Sequence, residues 1–170
     1  MSNRLLLMGV GLCIGVHIAY ILACFYLFLH QILQMARIIA IDYGTKRTGV
    51  AVTDELQLIA SGLTTVPTKD IFKFLATYLA EEKVEAMVIG EPKRMNNEAS
   101  DVEEHIVRFR ESVEKKHPEL KIIRQDERFT SKMAFQTMLD SGIGKKKRQN
   151  KALVDQISAT IILQDYLYNK

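Results

Sequence analysis

Acidic residues occur at four points of the sequence where a predicted strand ends or a predicted helix begins. They are Asp42, the adjacent pair Asp126 and Glu127, Asp155, and Glu91. Carboxylates from separate elements suit a hard divalent cation, because Mg²⁺ prefers oxygen ligands and keeps water molecules that substrate phosphates can replace. Two such ions could bind the attacking and the leaving oxygen in the hydrolysis of a phosphodiester. These residues therefore favour metal-dependent phosphodiester chemistry.

Some of these acidic residues also have a purely structural interpretation. Asp42 lies in the tight turn Asp42-Tyr-Gly-Thr45, where an aspartate is common. Asp126 or Glu127 could stabilise the N-terminus of the helix that follows them. From the residues alone, the choice among Asp126, Glu127 and Glu91 as a metal ligand stays open.

Asp155 carries a stronger signal, because it falls on the apolar stripe of the predicted last helix. We place it in the first turn of that helix, and Ser158 and Ala159 follow it on the same face. Both residues are small enough to let the helix approach the sheet closely. Since a buried, unpaired carboxylate costs several kcal/mol, we expect a cation beside Asp155. The structural alternative is an acidic residue stabilised by the dipole at the N-terminus of the helix.

The elements that must position these residues alternate between strands and helices. β-branched runs predict three strands that form an antiparallel meander, and Thr68 is expected to cap the helix after them. The predicted bounds are strands 37–42, 49–53, 58–66, 85–90 and 120–125, and helices 68–82, 100–116, 131–139 and 152–168. This order predicts one α/β domain with a mixed five-stranded sheet and helices on both faces.

Basic residues concentrate in the C-terminal part of the chain. From Lys121 onward there are 10 basic and 5 acidic residues, and we expect a basic loop immediately before the helix of Asp155. Phosphate contacts there would position a nucleic-acid backbone beside the metal. The candidate nucleic-acid-binding residues are Lys46, Arg47, Arg128, Lys145, Lys146, Lys147, Arg148 and Lys151.

The first 34 residues differ from the rest of the chain. No residue between Leu5 and Leu33 is charged at neutral pH, and this length would allow a membrane span. A signal peptide or a lipoprotein signal fits less well, because the apolar stretch is too long and lacks a clear cleavage site. We favour an upstream extension, with Met35 as the true start, over an anchor formed by residues 5–33. Both cysteines lie in this segment, which excludes a disulfide scaffold and a cysteine nucleophile from residues 35–170.

The sequence matches two nucleotide-binding motifs only in part. Gly44-Thr-Lys-Arg-Thr-Gly49 has the glycine spacing of a P-loop, but Val50 and Ala51 replace the lysine and hydroxyl residue that contact phosphate and metal. The turn at Asp42 resembles the phosphate turn of actin-like ATPases and sugar kinases. Those proteins need two such domains around a cleft, so the length of this chain disfavours nucleotide hydrolysis.

Three ordered segments carry a more specific resemblance. Residues 39–54, 126–131 and 151–163 resemble the pre-16S ribosomal RNA nuclease family, called YqgF or RuvX, and the match extends from Met35 to the C-terminus. The resemblance implies a ribonuclease-H-like fold, relation to Holliday-junction resolvases, and a cytoplasmic bacterial role in maturing the 5′ end of 16S ribosomal RNA. Family proteins begin a residue or two before the first strand, so residues 1–34 depart from the pattern.

The resemblance also implies a catalytic set. Matched motif by motif, the acidic residues of the family fall on Asp42, Glu127 and Asp155, which would bind Mg²⁺ or Mn²⁺. The family more often has an apolar residue at the position of Glu91, so Glu91 and Asp126 are kept as additional candidates. The implied partners are a ribosomal RNA precursor or another structured nucleic acid, and the ribosome itself is a further candidate.

Two other functions remain open from the sequence. A Holliday-junction resolvase would use the same metal chemistry, but it would need a two-fold dimer, and the oligomeric state is not evident. A non-catalytic RNA-binding factor for ribosome assembly would keep the fold and bind RNA without cutting it.

Overall fold

The computed structural model describes residues 25–26, 36–92, 102–126, 130–142 and 144–170. The chain separates into two compact units, Met1–Met35 and Ala36–Lys170. Apart from Phe25 and Tyr26, the apolar segment 5–33 lies outside the described residues, so the interpretations of that segment stay predictions. In the described ranges, no helix combines the length and the apolar character needed to cross a membrane.

The second unit alternates strands and helices in close agreement with the predicted order. A short 3-10 turn at Thr68–Asp70 precedes the first helix. In chain order, the described elements are β1 (Arg37–Tyr43), β2 (Arg47–Thr53), β3 (Ala60–Pro67), α1 (Ile71–Glu81), β4 (Val84–Glu91), α2 (Glu103–Lys116), β5 (Lys121–Asp126), α3 (Thr130–Asp140), α4 (Lys145–Arg148) and α5 (Lys151–Tyr168).

The strands form one five-stranded sheet in the order β3-β2-β1-β4-β5. β2 pairs antiparallel with β1 and with β3, which is the predicted meander. β4 pairs parallel with β1 and with β5. The chain returns through α1 between β3 and β4 and through α2 between β4 and β5. The predicted fold class, an α/β domain with a mixed five-stranded sheet, is confirmed.

Helices cover both faces of the sheet, as predicted. On one face, Ile39 and Ile41 of β1 pack in a cluster with residues of α1 and α2. On the other face, Ile38 and Ala40 pack with Ala159, Ile162 and Leu163, which belong to α5. The alternation of β1 between the two clusters follows from the two-residue period of a strand. By the same alternation, Asp42 lies on the face of Ile38 and Ala40, which α5 covers.

α5 lies against the sheet at unusually short range where β2 and β3 carry glycine. A Cβ atom built on Gly49 would be 2.0 Å from the backbone oxygen of Asp155, and one built on Gly62 would be 2.7 Å from Cγ of Gln156. On the helix side, Ser158 and Ala159 are buried, in agreement with the predicted close approach. Glycine is needed at position 49, because backbone atoms of α5 occupy the space of a side chain.

Three local predictions were wrong. Thr68 does not cap α1; its hydroxyl donates instead to the backbone oxygen of Gly44, 2.6 Å away, and so ties the β1–β2 turn to the end of β3. The predicted basic loop at Lys145–Arg148 is a one-turn helix, α4. Asp155 lies in the second turn of α5, since the helix begins at Lys151 with Asn150 as its N-cap.

Candidate catalytic and nucleic-acid-binding site

Asp42 and Asp155 are brought together on the face of the sheet that α5 covers. Asp42 is half-buried near the end of β1 and lies opposite Gly49 of β2 in the antiparallel pair. The backbone of Asp155 lies against Gly49, and the negative charge of Asp155 acts on Asp42, so two carboxylates that are far apart in sequence lie near each other beside this glycine. On β3, Thr65 lies opposite Gly49. Its hydroxyl donates a hydrogen bond to the backbone oxygen of Ala152, 2.6 Å away.

Arg47 supplies the cation that we expected beside Asp155. Its Nε donates to Oδ2 of Asp155 at 2.8 Å, and the two side chains are 38% and 25% exposed. Sequence reasoning named Arg47 only as a candidate phosphate contact, because the pair joins residues 108 positions apart. In this state the guanidinium neutralises one of the two facing carboxylates.

The carboxylate of Asp42 has a different environment from that of Asp155. Within the described residues, no donor or cation contacts the side chain of Asp42. Burial, together with the smaller effect of the negative charge of Asp155, raises the pKa of Asp42 to about 7. A divalent cation between the two carboxylates would favour the ionised form of Asp42, so this donor set fits an oxygen-liganded metal ion.

Two carboxylates alone do not make a complete metal centre. In the described parts of the chain, no group of three His, Cys, Asp or Glu side chains lies close enough to hold a metal ion. The third predicted ligand, Glu127, and the candidate phosphate contact Arg128 lie outside the described residues. Their roles stay predictions.

The two additional acidic candidates are placed away from Asp42. Glu91 and Asp126 are neighbours in the parallel pair of β4 and β5. On β5, Arg124 bonds to Glu103 of α2, whereas the next residue, Gln125, bonds to Asp165 of α5. Strand alternation therefore puts Asp126 on the α2 face.

Glu91 follows the same rule. Met87 and Ile89 pack on the face of α1 and α2, so Glu91, two residues further along β4, belongs to that face as well. The structure thus unites Asp42 with Asp155 and separates both from Glu91 and Asp126.

The candidate phosphate contacts lie close to this site in the chain. Lys46 is exposed in the β1–β2 turn, and Lys151, the first residue of α5, is also exposed. In α4, Lys145, Lys146 and Lys147 are exposed and Arg148 is half-buried. The run of basic side chains therefore leads directly into the helix that carries Asp155.

The glycine that lets the two carboxylates meet was missed as a functional position by sequence reasoning. Gly49 was treated only as part of a failed P-loop match and as the first residue of a strand. A glycine beside the β-branched run Val50-Ala-Val-Thr53 is itself a signal, because it often marks a close approach of another backbone. The identity of that other backbone, α5, is not encoded locally.

Sequence comparisons with known proteins agree on one family. The RuvX family, described as a Holliday junction resolvase, matches residues 36–169. A protein of Flavobacterium johnsoniae named "Putative pre-16S rRNA nuclease" is 62% identical over 136 residues, which cover 80% of this chain and 99% of that protein. Proteins of the same name from Christiangramia forsetii and Bacteroides thetaiotaomicron are 63% and 60% identical, over 79% and 80% of this chain and 99% of each relative. Among solved structures, T. thermophilus RuvC in complex with a Holliday junction substrate matches with a TM-score of 0.46 and 16% identity, over 79% of this chain and 94% of that one.

Proposed function

The chain belongs to the RuvX family, and on that basis we propose that it is a metal-dependent nuclease that hydrolyses phosphodiester bonds at the 5′ end of the 16S ribosomal RNA precursor. The observation that carries the proposal is the meeting of Asp42 and Asp155 across Gly49. Residues 35–170 are the proposed nuclease domain. The proposed substrate comes from the name shared by the most similar relatives, and a cytoplasmic location goes with that role.

Asp42, Asp155 and Glu127 would hold one or two Mg²⁺ or Mn²⁺ ions. When bound, the ions would activate a water molecule and stabilise the charge that develops on the leaving oxygen. The family resemblance supports Glu127, and Asp126 is disfavoured because strand alternation puts it on the α2 face, away from Asp42. Asp42 must be ionised to act as a ligand, so its proton is lost when the cation binds.

The basic side chains would hold the substrate in place. Lys145, Lys146, Lys147 and Lys151 would contact phosphates on either side of the bond to be cut, and such contacts fix the position of a strand without reading its sequence. Arg47 would keep the Asp155 carboxylate oriented toward Asp42. Lys46 in the β1–β2 turn and Arg128 would extend the same basic surface.

A second candidate is the cleavage of a four-way DNA junction, which the description of the family favours. The same carboxylates would serve, since the metal chemistry does not depend on the sugar. A junction resolvase would also have to act as a two-fold dimer to cut two symmetric strands.

The test is a cleavage assay of the full chain on a ribosomal RNA precursor and on a four-way DNA junction, each with Mg²⁺ and with EDTA. We expect Mg²⁺-dependent cutting of the RNA, and a loss of at least about a hundredfold in Asp155→Asn, because a direct metal ligand is removed. Asp70→Asn is the matched control, since Asp70 is exposed at the start of α1 on the opposite face of the sheet.

Each result has a distinct meaning. Cutting of the junction alone would replace the RNA substrate by the DNA junction. Folded protein that binds RNA but cuts neither substrate would overturn the nuclease proposal in favour of a non-catalytic assembly factor. Cutting that survives in Asp155→Asn would remove Asp155 from the catalytic set.

A further inference from the structure

A groove of mixed polar and apolar lining, which includes Ala152 and Leu153 of α5, lies on the side of the edge strand β3. It has a volume of about 440 Å³ and is lined by residues of β3, by Lys147 of α4, and by Asn150 and Gln156 at the start of α5. This volume falls within the range of sites that hold small organic molecules. The groove reaches the strands of the carboxylate site through Thr65, which lines it and lies opposite Gly49 in the pair of β2 and β3.

The side chains in this groove have hydrogen-bonding capacity that the described part of the protein does not use. Asn150 accepts a bond from the backbone nitrogen of Ala152 through Oδ1, which leaves its amino group to donate. The side-chain amide of Gln156 and the ammonium of Lys147 have no partner among the described residues. Among the described residues that line the groove, none is acidic.

The side chain of Gln156 packs against a glycine of β3. Its Cγ and Nε2 atoms lie over Gly62 of β3, where a Cβ atom would be 2.7 Å and 3.0 Å from them. Gly62 thus makes room for the side chain of Gln156 above β3, in the same way that Gly49 makes room for the backbone of Asp155 above β2. Asp155 and Gln156 therefore contact two adjacent strands, β2 and β3. Asp155 lies on the side of Asp42, and Gln156 lines the groove.

We propose that this groove binds one nucleotide of the RNA strand next to the phosphodiester that is cut. The ammonium of Lys147 contacts a phosphate, and the amides of Asn150 and Gln156 bond to the base or to the ribose. A cation beside two amides that keep free hydrogen-bonding capacity among the described residues, with no carboxylate among the described lining residues, matches the charge and the hydrogen-bonding edges of a nucleotide. The inference rests on the proposed nuclease function for the identity of the ligand, and it adds Asn150 and Gln156 as substrate-positioning residues.

The experiment measures the binding of the full chain to a short fluorescein-labelled single-stranded RNA by anisotropy in EDTA, so that nothing is cut. We expect Gln156→Leu to weaken binding by about two- to tenfold, the value of one or two lost hydrogen bonds. Gln156→Glu is a second variant of the same size, and we expect it to weaken binding further by repelling phosphate. Thermal unfolding of each variant checks that the fold is kept.

A double-mutant cycle then tests whether the residues share one ligand. Combined with Gln156→Leu, Lys147→Gln should weaken binding by less than the product of the two single effects, because both contact the same nucleotide. Lys146→Gln is the matched control, since it removes the same charge one residue away but does not line this groove. Its effect should multiply with that of Gln156→Leu.

The outcomes separate this inference from the nuclease proposal. RNA affinity that is unchanged in both Gln156 variants, or effects of Lys147 and Gln156 that simply multiply, would overturn the groove assignment even if the parent protein cuts RNA. Coupled loss of binding in a protein that cuts nothing would support the groove and contradict only the nuclease.

Discussion

The backbone oxygen of Asp155 lies within 2.0 Å of the point where Gly49 would carry a Cβ atom. Gly49 is also the residue opposite Asp42 in the pair of β1 and β2. The approach of Asp155 to Asp42 therefore depends on the absence of a side chain at Gly49. Any residue larger than glycine must move the start of α5, and Asp155 moves with it.

Gly49→Ala should damage both stability and activity. Because the added methyl group meets backbone, which cannot rotate away, we expect a loss of about 3 kcal/mol or more in the free energy of unfolding, at the upper end for overpacked sites. Urea denaturation measures this loss. Gly144→Ala is the control, since a Cβ atom there meets nothing within 4 Å, and it should change stability by less than about 0.5 kcal/mol. Equal stability of the two variants would contradict the close contact.

Arg47→Ala should destabilise the protein mainly when no divalent cation is present. The substitution leaves the Asp155 carboxylate unpaired beside Asp42, and we expect a cost of about 1 to 2 kcal/mol for a half-exposed pair. Saturating Mg²⁺ should reduce that cost, because the cation takes over the neutralisation. Melting temperatures in EDTA and in Mg²⁺ provide the measurement.

The control for this prediction is Arg108→Ala, which breaks an exposed pair with Glu104 on α2. Its small effect should be the same in EDTA and in Mg²⁺. A loss in Arg47→Ala that Mg²⁺ does not reduce would argue against a shared cation site.

Stability in EDTA should fall as the pH rises from about 4 to about 7. The pKa of Asp42 is about 7 in the folded protein, against an ordinary value of 3.8. The folded state therefore holds the proton more tightly than the unfolded state does, and this contribution is lost as the pH rises through the folded pKa. Asp42→Asn should abolish this part of the pH dependence and should be more stable than the parent at pH 8. Denaturation at several pH values tests it, with Asp70→Asn as the control, and parallel pH profiles of parent and Asp42→Asn would refute it.

Removing a lysine of α4 should make RNA binding less sensitive to salt. If Lys145 or Lys146 contacts a phosphate, each change to Gln should lower the slope of log affinity against log salt by about 0.7 for a single strand. Binding titrations at four salt concentrations give the slope. Lys73→Gln, an exposed position on α1, should leave the slope unchanged, and equal effects of all three substitutions would count against a specific phosphate path.

Local sequence pattern was sufficient to predict most of the elements of this fold. β1 and β4 are apolar runs ended by turn residues, and α5 has helical spacing of apolar residues, so their bounds were predicted to within about two residues. α4 was missed, because four consecutive basic residues carry no apolar periodicity. Thr68 was assigned to the wrong role, because its hydroxyl bonds to Gly44, on a different strand end.

The candidate site could be predicted in its residue types but not in its contacts. Asp42 and Asp155 follow from strand ends, an apolar stripe and a family resemblance. The pairing of Arg47 with Asp155 does not follow, since nothing local links residues 108 positions apart. The separation of Glu91 and Asp126 from Asp42 was within reach of strand alternation, but only once the extent of each strand was known.

The ion pair between Arg47 and Asp155 joins the second strand of the chain to its last helix. All five strands are synthesised before residue 151, so the helix that carries Asp155 is the last element to join the fold. Asp42 and Arg47 emerge early and gain their partner only when the final 20 residues dock, after a long loop closes at an entropic cost. A chain that stops short of α5 would contain the sequence of every strand, but it would lack both Asp155 and the helix that covers one face of the sheet.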